Sequence, residues 1–176
     1  QERTRLAGII KGTNVGTWEW NIQSGAASFN ERWANIIGYS LDEIEPISIE
    51  TWMKFAHPDD LKQSSELLQL HFEGKLDYYE FESRMLHRNG QWIWVLDRGK
   101  VTSWSSDGKP LIMMGTHQDI TSRKNNEAQL TESLEQLARF RSLVESSGDC
   151  FYMVEMTDNG RMIYANQAAI EHFEVN

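Results

Sequence analysis

The sequence lacks several features that would point to particular classes of protein. A single cysteine, Cys150, occurs among 176 residues, which excludes an intramolecular disulfide and indicates a reducing, cytoplasmic setting. No apolar run is long enough to cross a membrane. Basic residues are outnumbered, with 17 Lys and Arg against 26 Asp and Glu, which gives a formal charge of −9. Because affinity for nucleic acid comes mainly from clustered Lys and Arg, this balance argues against a nucleic-acid partner.

The chain begins at Gln1 rather than at a methionine, so we expect it to be a piece of a longer protein. We expect a cytoplasmic domain, and a membrane anchor elsewhere in the parent protein is left open.

Tryptophan and strand-forming residues are abundant instead. Seven tryptophans occur, which implies a core built from flat, bulky rings. Three runs rich in Trp, Tyr, Val, Ile and Met, as strands require, cover 78–88, 91–104 and 110–120. Asn89-Gly90 and Asp107-Gly108 separate these runs, and both pairs reach the positive φ that tight antiparallel turns need. The sequence therefore predicts a three-stranded antiparallel meander, whose apolar face must be covered by other elements.

The segment before the meander has the pattern of two strands and several short helices. We expect a short amphipathic flanking helix over 1–12. Alternation from Thr17 to Ile22 predicts a half-buried strand, and Ala27–Phe29 predicts a second one. Asn30 is a candidate N-cap for the first helix after these strands. His57-Pro58-Asp59-Asp60 suits the start of a longer helix, because proline is favoured at the first helical position and carboxylates in the first turn.

After Thr121 the sequence becomes polar and rich in helix-forming residues, with no Gly or Pro before Gly148. Leu130, Leu134, Leu137 and Val144 recur at spacings of three and four, and Arg141 is the polar exception. This pattern is typical of a short coiled coil, so we expect a dimer-forming linker helix over 124–145. The alternative is one amphipathic helix that lies on the sheet.

The last segment, 146–176, repeats the start of the chain. Phe151–Val154 corresponds to Thr17–Trp20, Asp158-Asn159-Gly160 takes the place of the first hairpin turn, and Tyr164-Ala165-Asn166 corresponds to Phe29-Asn30. The sequence thus predicts the truncated start of a second domain, with two strands and a helix. Because its strand edges are left open, we expect this copy to be poorly ordered or to borrow a partner surface.

The order of these motifs resembles a PAS domain over 13–123. The landmarks are Trp18-Glu19-Trp20 with Asn30, Gly38-Tyr39-Ser40, His57-Pro58-Asp59-Asp60, Glu82-x-Arg84, Asn89-Gly90, Trp92-x-Trp94, Asp107-Gly108 and Gly115-Thr116-x-Gln118-Asp119-Ile120-Thr121. The last of them is similar to the family's Asp-Ile-Thr ending, after which a signalling helix leaves. The linker and second copy resemble the tandem PAS modules of bacterial sensor proteins.

The resemblance implies an α+β PAS fold: a five-stranded antiparallel sheet in spatial order 2-1-5-4-3, short helices on one face, and a linker helix after it. It also implies a non-catalytic sensory module that dimerises through its flanking helices and relays a signal to an output domain outside this sequence, of the kinase or diguanylate cyclase type. The alternatives are a haem- or flavin-binding redox or gas sensor, and a ligand-free dimerisation spacer. No nucleophile–base pair or metal-spaced cluster stands out, so we expect neither enzyme activity nor a metal site.

A small-molecule pocket is expected between the helices and the sheet. The candidate lining residues are Trp20, Phe29, Trp33, Ile37, Trp52, Phe55, Leu68, Trp94 and Met113. The alternative is that these side chains fill the interior completely. His71 is the candidate haem ligand, because the resemblance places it in the helix that carries such a ligand in some PAS domains, but haem also needs a deep apolar pocket. The cysteine chemistry of LOV-type flavin domains is excluded in the first copy, which has no cysteine.

The junction between the last strand and the linker helix is the predicted site of signal relay. Asp119 and Thr121 can cap the start of the helix, and the resemblance makes this junction the lever for output. Arg98, on the neighbouring strand, is the candidate partner of the Asp119 carboxylate.

Overall fold

A computed structural model describes residues 2–155 and 161–174, and the chain divides into two compact units, Gln1–Lys124 and Asn125–Asn176. The helices of the first unit are α1 (Glu2–Thr13), α2 (Glu31–Ile36), α3 (Ile49–Phe55) and α4 (Pro58–Phe72), and a short 3-10 helix covers Asp42–Ile44. Its strands are β1 (Gly16–Asn21), β2 (Ala27–Phe29), β3 (Tyr79–Leu86), β4 (Trp92–Trp104) and β5 (Pro110–Asp119). The long helix α5 (Thr121–Ser146) starts at the end of the first unit, and β6 (Tyr152–Val154), β7 (Met162–Ala165) and α6 (Gln167–Glu174) follow it.

The five strands of the first unit form one antiparallel sheet in the order β2-β1-β5-β4-β3, which confirms the predicted fold class. The meander turns where the sequence predicted it: Gly90 and Gly108 both have positive φ, at 83° and 78°, which glycine adopts without steric cost. The last strand then returns to the first, with Trp18 opposite Gly115.

Side-chain caps fix where the helices begin. The Asn30 side chain accepts a hydrogen bond from the backbone N–H of Trp33 at 2.9 Å, and the same oxygen accepts one from Thr17 N at 2.9 Å. One side chain therefore caps α2 and ties it to β1. His57 caps α4 by accepting a hydrogen bond from Asp59 N, and Pro58 takes the first helical position.

Asp60, predicted only as a first-turn carboxylate, also joins α4 to β3. It accepts hydrogen bonds from the backbone N–H and the guanidinium of Arg84, at 2.7 and 3.0 Å. Burial opposes ionisation of the Asp60 carboxyl, but these bonds outweigh it and hold its pKa below the usual range.

The sheet buries one face beneath α2, α3 and α4. Its buried side chains include Met85, Val95, Val101 and Met113, and they alternate with residues on the outer face, as a strand's period of two requires. The outer face carries Glu82, Arg84, Trp94, Arg98 and Met114, which are half-buried or exposed. Strand parity thus assigns each side chain to the core or to the outer face.

In the second unit β6 and β7 pair antiparallel, with Tyr152 opposite Ala165, and α6 follows. Asn166 accepts hydrogen bonds from Phe151 N at 2.9 Å and from Ala169 N at 3.0 Å, as Asn30 does from Thr17 and Trp33. The same capping device thus recurs at the corresponding place of the segment that the sequence predicted to be a second copy. The predicted turn at Asp158-Asn159-Gly160 lies outside the described residues, and the domain boundaries stay a prediction.

Candidate functional site

A cavity of about 40 Å³ lies between the sheet and helices α2, α3 and α4. Every strand of the sheet contributes to it, and so do all three helices. Its lining consists of Trp18, Trp20, Ala27, Phe29, Trp33, Ile49, Trp52, Ser64, Leu68, Tyr79, Asp97 and His117. Aromatic rings form most of the wall, and the polar atoms come from only a few side chains.

Five of the nine residues predicted to line a pocket are among these: Trp20, Phe29, Trp33, Trp52 and Leu68. Three others belong to the packed core instead. Ile37, Phe55 and Met113 are buried and lie in hydrophobic clusters, where they support the lining residues without facing the cavity.

Trp94 was predicted to line the pocket, and this prediction is wrong because its side chain lies on the outer face of the sheet. Its neighbour Val95 is fully buried in the core, and successive side chains of a strand point to opposite faces. The Trp94 ring instead receives two cations, with the Lys124 ammonium 4.7 Å and the Arg84 guanidinium 5.7 Å from it.

The polar part of the cavity, which the sequence did not reveal, centres on Asp97 and His117. These residues are directly opposite each other on β4 and β5, and His117 Nε2 lies 3.1 Å from Asp97 Oδ2 with both side chains almost fully buried. The other oxygen, Oδ1, accepts a hydrogen bond from the indole N–H of Trp18 at 2.9 Å. Both oxygens of the buried carboxylate therefore have a partner.

Tyr79 and Ser64 form a second polar pair, with their hydroxyl oxygens 2.8 Å apart. Burial raises the pKa of the Tyr79 phenol, and the negative charge of Asp97 raises it further. The phenol therefore stays protonated at physiological pH and remains a hydrogen-bond donor.

Three tryptophans of the cavity wall leave their polar atom unused. The indole N–H groups of Trp20, Trp33 and Trp52 are buried and have no hydrogen-bond partner among the residues that the structure describes. The Trp33 ring is held in a stack, 3.9 Å from the Phe29 ring and 5.5 Å from that of His117. The wall is therefore aromatic, and these three donors are sealed within it.

Haem and flavin do not fit this site. A cavity that binds benzene measures about 150 Å³, whereas this one measures about 40 Å³, so either cofactor would displace the wall. Both nitrogens of His71 are also occupied: Nδ1 lies 2.8 Å from Leu76 O, and Nε2 accepts a hydrogen bond from Val101 N at 3.0 Å. His71 thus joins α4 to β4 and has no lone pair to offer an iron.

In the described parts of the chain, no group of three His, Cys, Asp or Glu side chains could hold a metal ion. Among those same residues, no helix combines the length and the apolar character that crossing a bilayer requires.

The junction between β5 and α5 is tied to β4, the strand next to β5, and to β3 beyond it. Thr121 Oγ1 accepts a hydrogen bond from Trp94 N at 3.0 Å, and the Asp119 carboxylate accepts one from Thr121 N at 2.9 Å. Arg123 and Lys124 both form salt bridges with Glu82 of β3, and hydrogen bonds from Lys124 and then Arg123 lower the pKa of the Glu82 carboxyl. Glu82 was not predicted to take part in this junction.

Arg98 differs from the prediction, because it does not pair with Asp119. Asp119 is opposite Val95, three residues from Arg98 along β4, and an odd separation places Arg98 on the other face of the sheet. Arg98 instead forms a salt bridge with Glu80 at 3.3 Å and lies over the ring of Tyr78, 4.1 Å from its centre.

Two family models match the chain. One, described as "PAS fold", covers residues 26–117, and another, described as "PAS domain", covers residues 138–176. Among curated proteins, a probable diguanylate cyclase, DgcE of Escherichia coli (strain K12), is 26% identical over 98 residues. That match covers 56% of this chain but only 8% of the length of DgcE.

Two solved structures of sensor proteins also resemble this chain. The structure of a sensory box histidine kinase/response regulator from Burkholderia thailandensis E264 is 33% identical, with a TM-score of 0.66, and the match covers 77% of this chain and 98% of that one. The N-terminal domain of a diguanylate cyclase with a PAS/PAC sensor from Marinobacter aquaeolei is 22% identical, with a TM-score of 0.53 and coverage of 62% and 98%; it supports the fold alone. Because the family models, the order of the sheet and the Burkholderia structure agree, the chain belongs to the PAS family.

Proposed function

We propose that this chain is a non-catalytic sensory module that dimerises and relays a signal through α5 to an output domain outside this sequence. Two relatives support the type of output: DgcE is named a probable diguanylate cyclase, and the Burkholderia structure is named a histidine kinase/response regulator. The module itself contributes the sensing cavity and the helix that leaves the sheet.

The attachment of α5 to the sheet is the observation that carries the relay. The outer-face residue Trp94 receives Lys124 of α5 on its ring and binds Thr121 through its backbone N–H. Its neighbour Val95 is part of the core on the other face. A shift of β4 caused by a change in the cavity would therefore move the start of α5. The two positions of β4 would couple the state of the cavity to the position of the helix.

An exposed apolar row on α5 supports dimerisation. Leu130, Leu134 and Leu137 have exposed fractions of 61%, 58% and 62%, although leucine is a residue that proteins usually bury. Their spacings of four and three place them on one side of the helix, as in the seam of a coiled coil. A second copy of the same helix is the partner that would cover this row.

The two alternatives, a haem or flavin sensor and a ligand-free dimerisation spacer, agree less well with the site than a sensory module does. A haem or flavin sensor conflicts with the size of the cavity and with the two occupied nitrogens of His71. A ligand-free spacer leaves unexplained why three indole N–H groups around one cavity are buried without partners among the described residues, since such groups are normally paired.

The dimer is tested by replacing one leucine of the row. We expect the native chain to sediment as a dimer, and Leu134→Asp to be monomeric, because a carboxylate in a coiled-coil seam would be buried without a partner. Gln136→Asp is the matched control: it adds the same charge on the same helix outside the row, so it should remain dimeric. Analytical ultracentrifugation over a concentration series measures all three proteins. A native chain that is monomeric at every concentration would refute the dimer.

A further inference from the structure

A cluster of charged side chains on the outer face of the sheet connects β3 to two helices. Glu82 of β3 forms salt bridges with Arg123 and Lys124 at the start of α5, and Lys124 Nζ lies 2.7 Å from Glu82 Oε2. Two residues further along β3, the Arg84 guanidinium pairs with the carboxylate of Asp60 at the start of α4. In this cluster, two carboxylates therefore pair with three cations, and each carboxylate belongs to the attachment of a different helix.

Arg84 is within reach of both carboxylates. Residues two apart on a strand point to the same face and are separated by about 7 Å, a gap that the long side chains of Glu82 and Arg84 can bridge. In this structure Arg84 is turned to Asp60 instead, and Asp60 Oδ2 accepts hydrogen bonds from Arg84 Nε at 3.0 Å and from its backbone N–H at 2.7 Å. The pair with Asp60 is thus one of two pairings that the outer face allows.

The position of Asp60 depends on the helix that borders the cavity. Asp60 and Ser64 are four residues apart on α4, so their side chains lie on the same side of the helix, one turn apart, and Ser64 lines the cavity. The Ser64 hydroxyl is bonded to that of Tyr79, which lies on β3, the strand that carries Arg84. A movement of α4 against β3 at the cavity therefore also changes the distance between Asp60 and Arg84.

We propose that Arg84 is a switch that exchanges Asp60 for Glu82 and thereby releases the start of α5. When α4 draws Asp60 away, the Arg84 side chain, which is only 30% exposed, is left as a partly buried charge without a partner, which is costly. The guanidinium then turns to Glu82 and displaces Lys124 from it. This inference rests on the proposed relay and names a second input to α5, from α4, beside the shift of β4.

Hydrogen exchange in the first turns of α5 reports the state of the switch in the whole 176-residue chain. Asp60→Asn imitates the withdrawal of the carboxylate, and exchange should become roughly three- to tenfold faster, because the start of α5 loses its ion pairs with β3. Asp59→Asn is the matched control, since it removes the same charge from the next position of α4. The Asp59 side chain is 80% exposed and lies beside His57, so this variant should exchange like the native chain.

Removing Arg84 as well separates an exchange of partners from a general loss of stability. In the double variant Asp60→Asn/Arg84→Met no guanidinium is left to compete for Glu82, so α5 should return to its native exchange rate. In Glu82→Gln the start of α5 has already lost its carboxylate, so adding Asp60→Asn should cause no further acceleration. Protected amides of β5 report global unfolding in the same samples, and the rates in α5 are compared with them.

Three results would overturn the inference: native exchange in Asp60→Asn, fast exchange that persists in Asp60→Asn/Arg84→Met, or a further acceleration when Asp60→Asn is added to Glu82→Gln. Thr121→Val distinguishes these failures from a failure of the relay, because Thr121 Oγ1 ties α5 to β4 through Trp94 N. If Thr121→Val speeds the exchange and Asp60→Asn does not, the switch alone is refuted. If neither variant speeds it, the attachment of α5 on which the proposed function depends is refuted.

Discussion

Replacing Gly115 with alanine would test the packing on which the cavity wall depends. Gly115 of β5 is opposite Trp18 of β1 on one side and Gly99 of β4 on the other. A Cβ atom at Gly115 would overlap both the Trp18 ring and the backbone carbonyl oxygen of Arg98. The ring can shift at some cost, but the carbonyl is part of the sheet backbone and cannot move without disturbing the pairing of β4 and β5.

The loss in stability can be estimated from these contacts. Overpacking of a core costs about 1–3 kcal/mol. Displacing the Trp18 ring also breaks its hydrogen bond to the buried Asp97 carboxylate, and a bond to a charged group contributes about 1.5–3 kcal/mol. We therefore expect Gly115→Ala to lower the free energy of unfolding by about 3–5 kcal/mol, a large part of the roughly 5–15 kcal/mol available to a typical domain.

Urea unfolding followed by tryptophan fluorescence measures this change. All seven tryptophans lie between residues 18 and 104, so the signal reports the first unit alone. Gly99→Ala is a graded comparison, because a Cβ there overlaps the same Trp18 ring, including Cζ2 at 2.6 Å, but the three nearest atoms include no backbone atom. It should therefore cost less than Gly115→Ala. Gly12→Ala in α1 meets no atom within 4 Å and should be neutral or stabilising by up to about 1 kcal/mol. A Gly115→Ala chain as stable as the native one, or more stable than Gly99→Ala, would refute this packing.

Two further predictions concern α5 and α4. Thr121→Val removes the hydroxyl that binds Trp94 N, so hydrogen exchange in the first turns of α5 should become faster. Thr131→Val is the control, because it loses only a hydrogen bond within α5. Equal exchange rates in the two variants would contradict the attachment of α5 to β4. Asp60→Asn should destabilise the chain by about 1–3 kcal/mol at pH 7. Folding lowers the pKa of Asp60. Its contribution to the free energy of unfolding is therefore fully present above the pKa of an aspartate in the unfolded chain, about 4, and is lost as the pH falls through the lower pKa of the folded chain. Thermal unfolding of the native chain and of the Asp60→Asn variant should therefore converge at acid pH, and a constant difference between them would be evidence against this ion pair.

The fold could be predicted from the sequence because its signals are local. Asn89-Gly90 and Asp107-Gly108 fix the turns by their own backbone preferences, and Pro58 marks the start of α4 through its missing N–H. Each of these signals acts within a few residues. The order of the strands then followed from the resemblance to the PAS family, which composition and periodicity alone do not supply.

The candidate site could be predicted only in part, because it depends on strand parity and on pairing between distant segments. On β4 apolar side chains occupy both faces, with Trp94 outside and Val95 inside, so hydrophobicity alone did not show which face is buried. Asp97 and His117 are 20 residues apart in the sequence and meet only through the register of β4 with β5. No local pattern marks such a pair.

The position of Trp94 links the two halves of the proposed function. Asp97 lies on the cavity side of β4 and Trp94 on the outer face, only three residues apart on one strand. Asp97 is joined to Trp18 and His117 of the wall, and Trp94 is joined to Thr121 and Lys124 of α5. A ligand that moved Trp18 or His117 would therefore act on α5 through a single rigid strand. Coupling over this distance needs no chain of intermediate side chains, since two discrete positions of β4 would be enough to bias the helix.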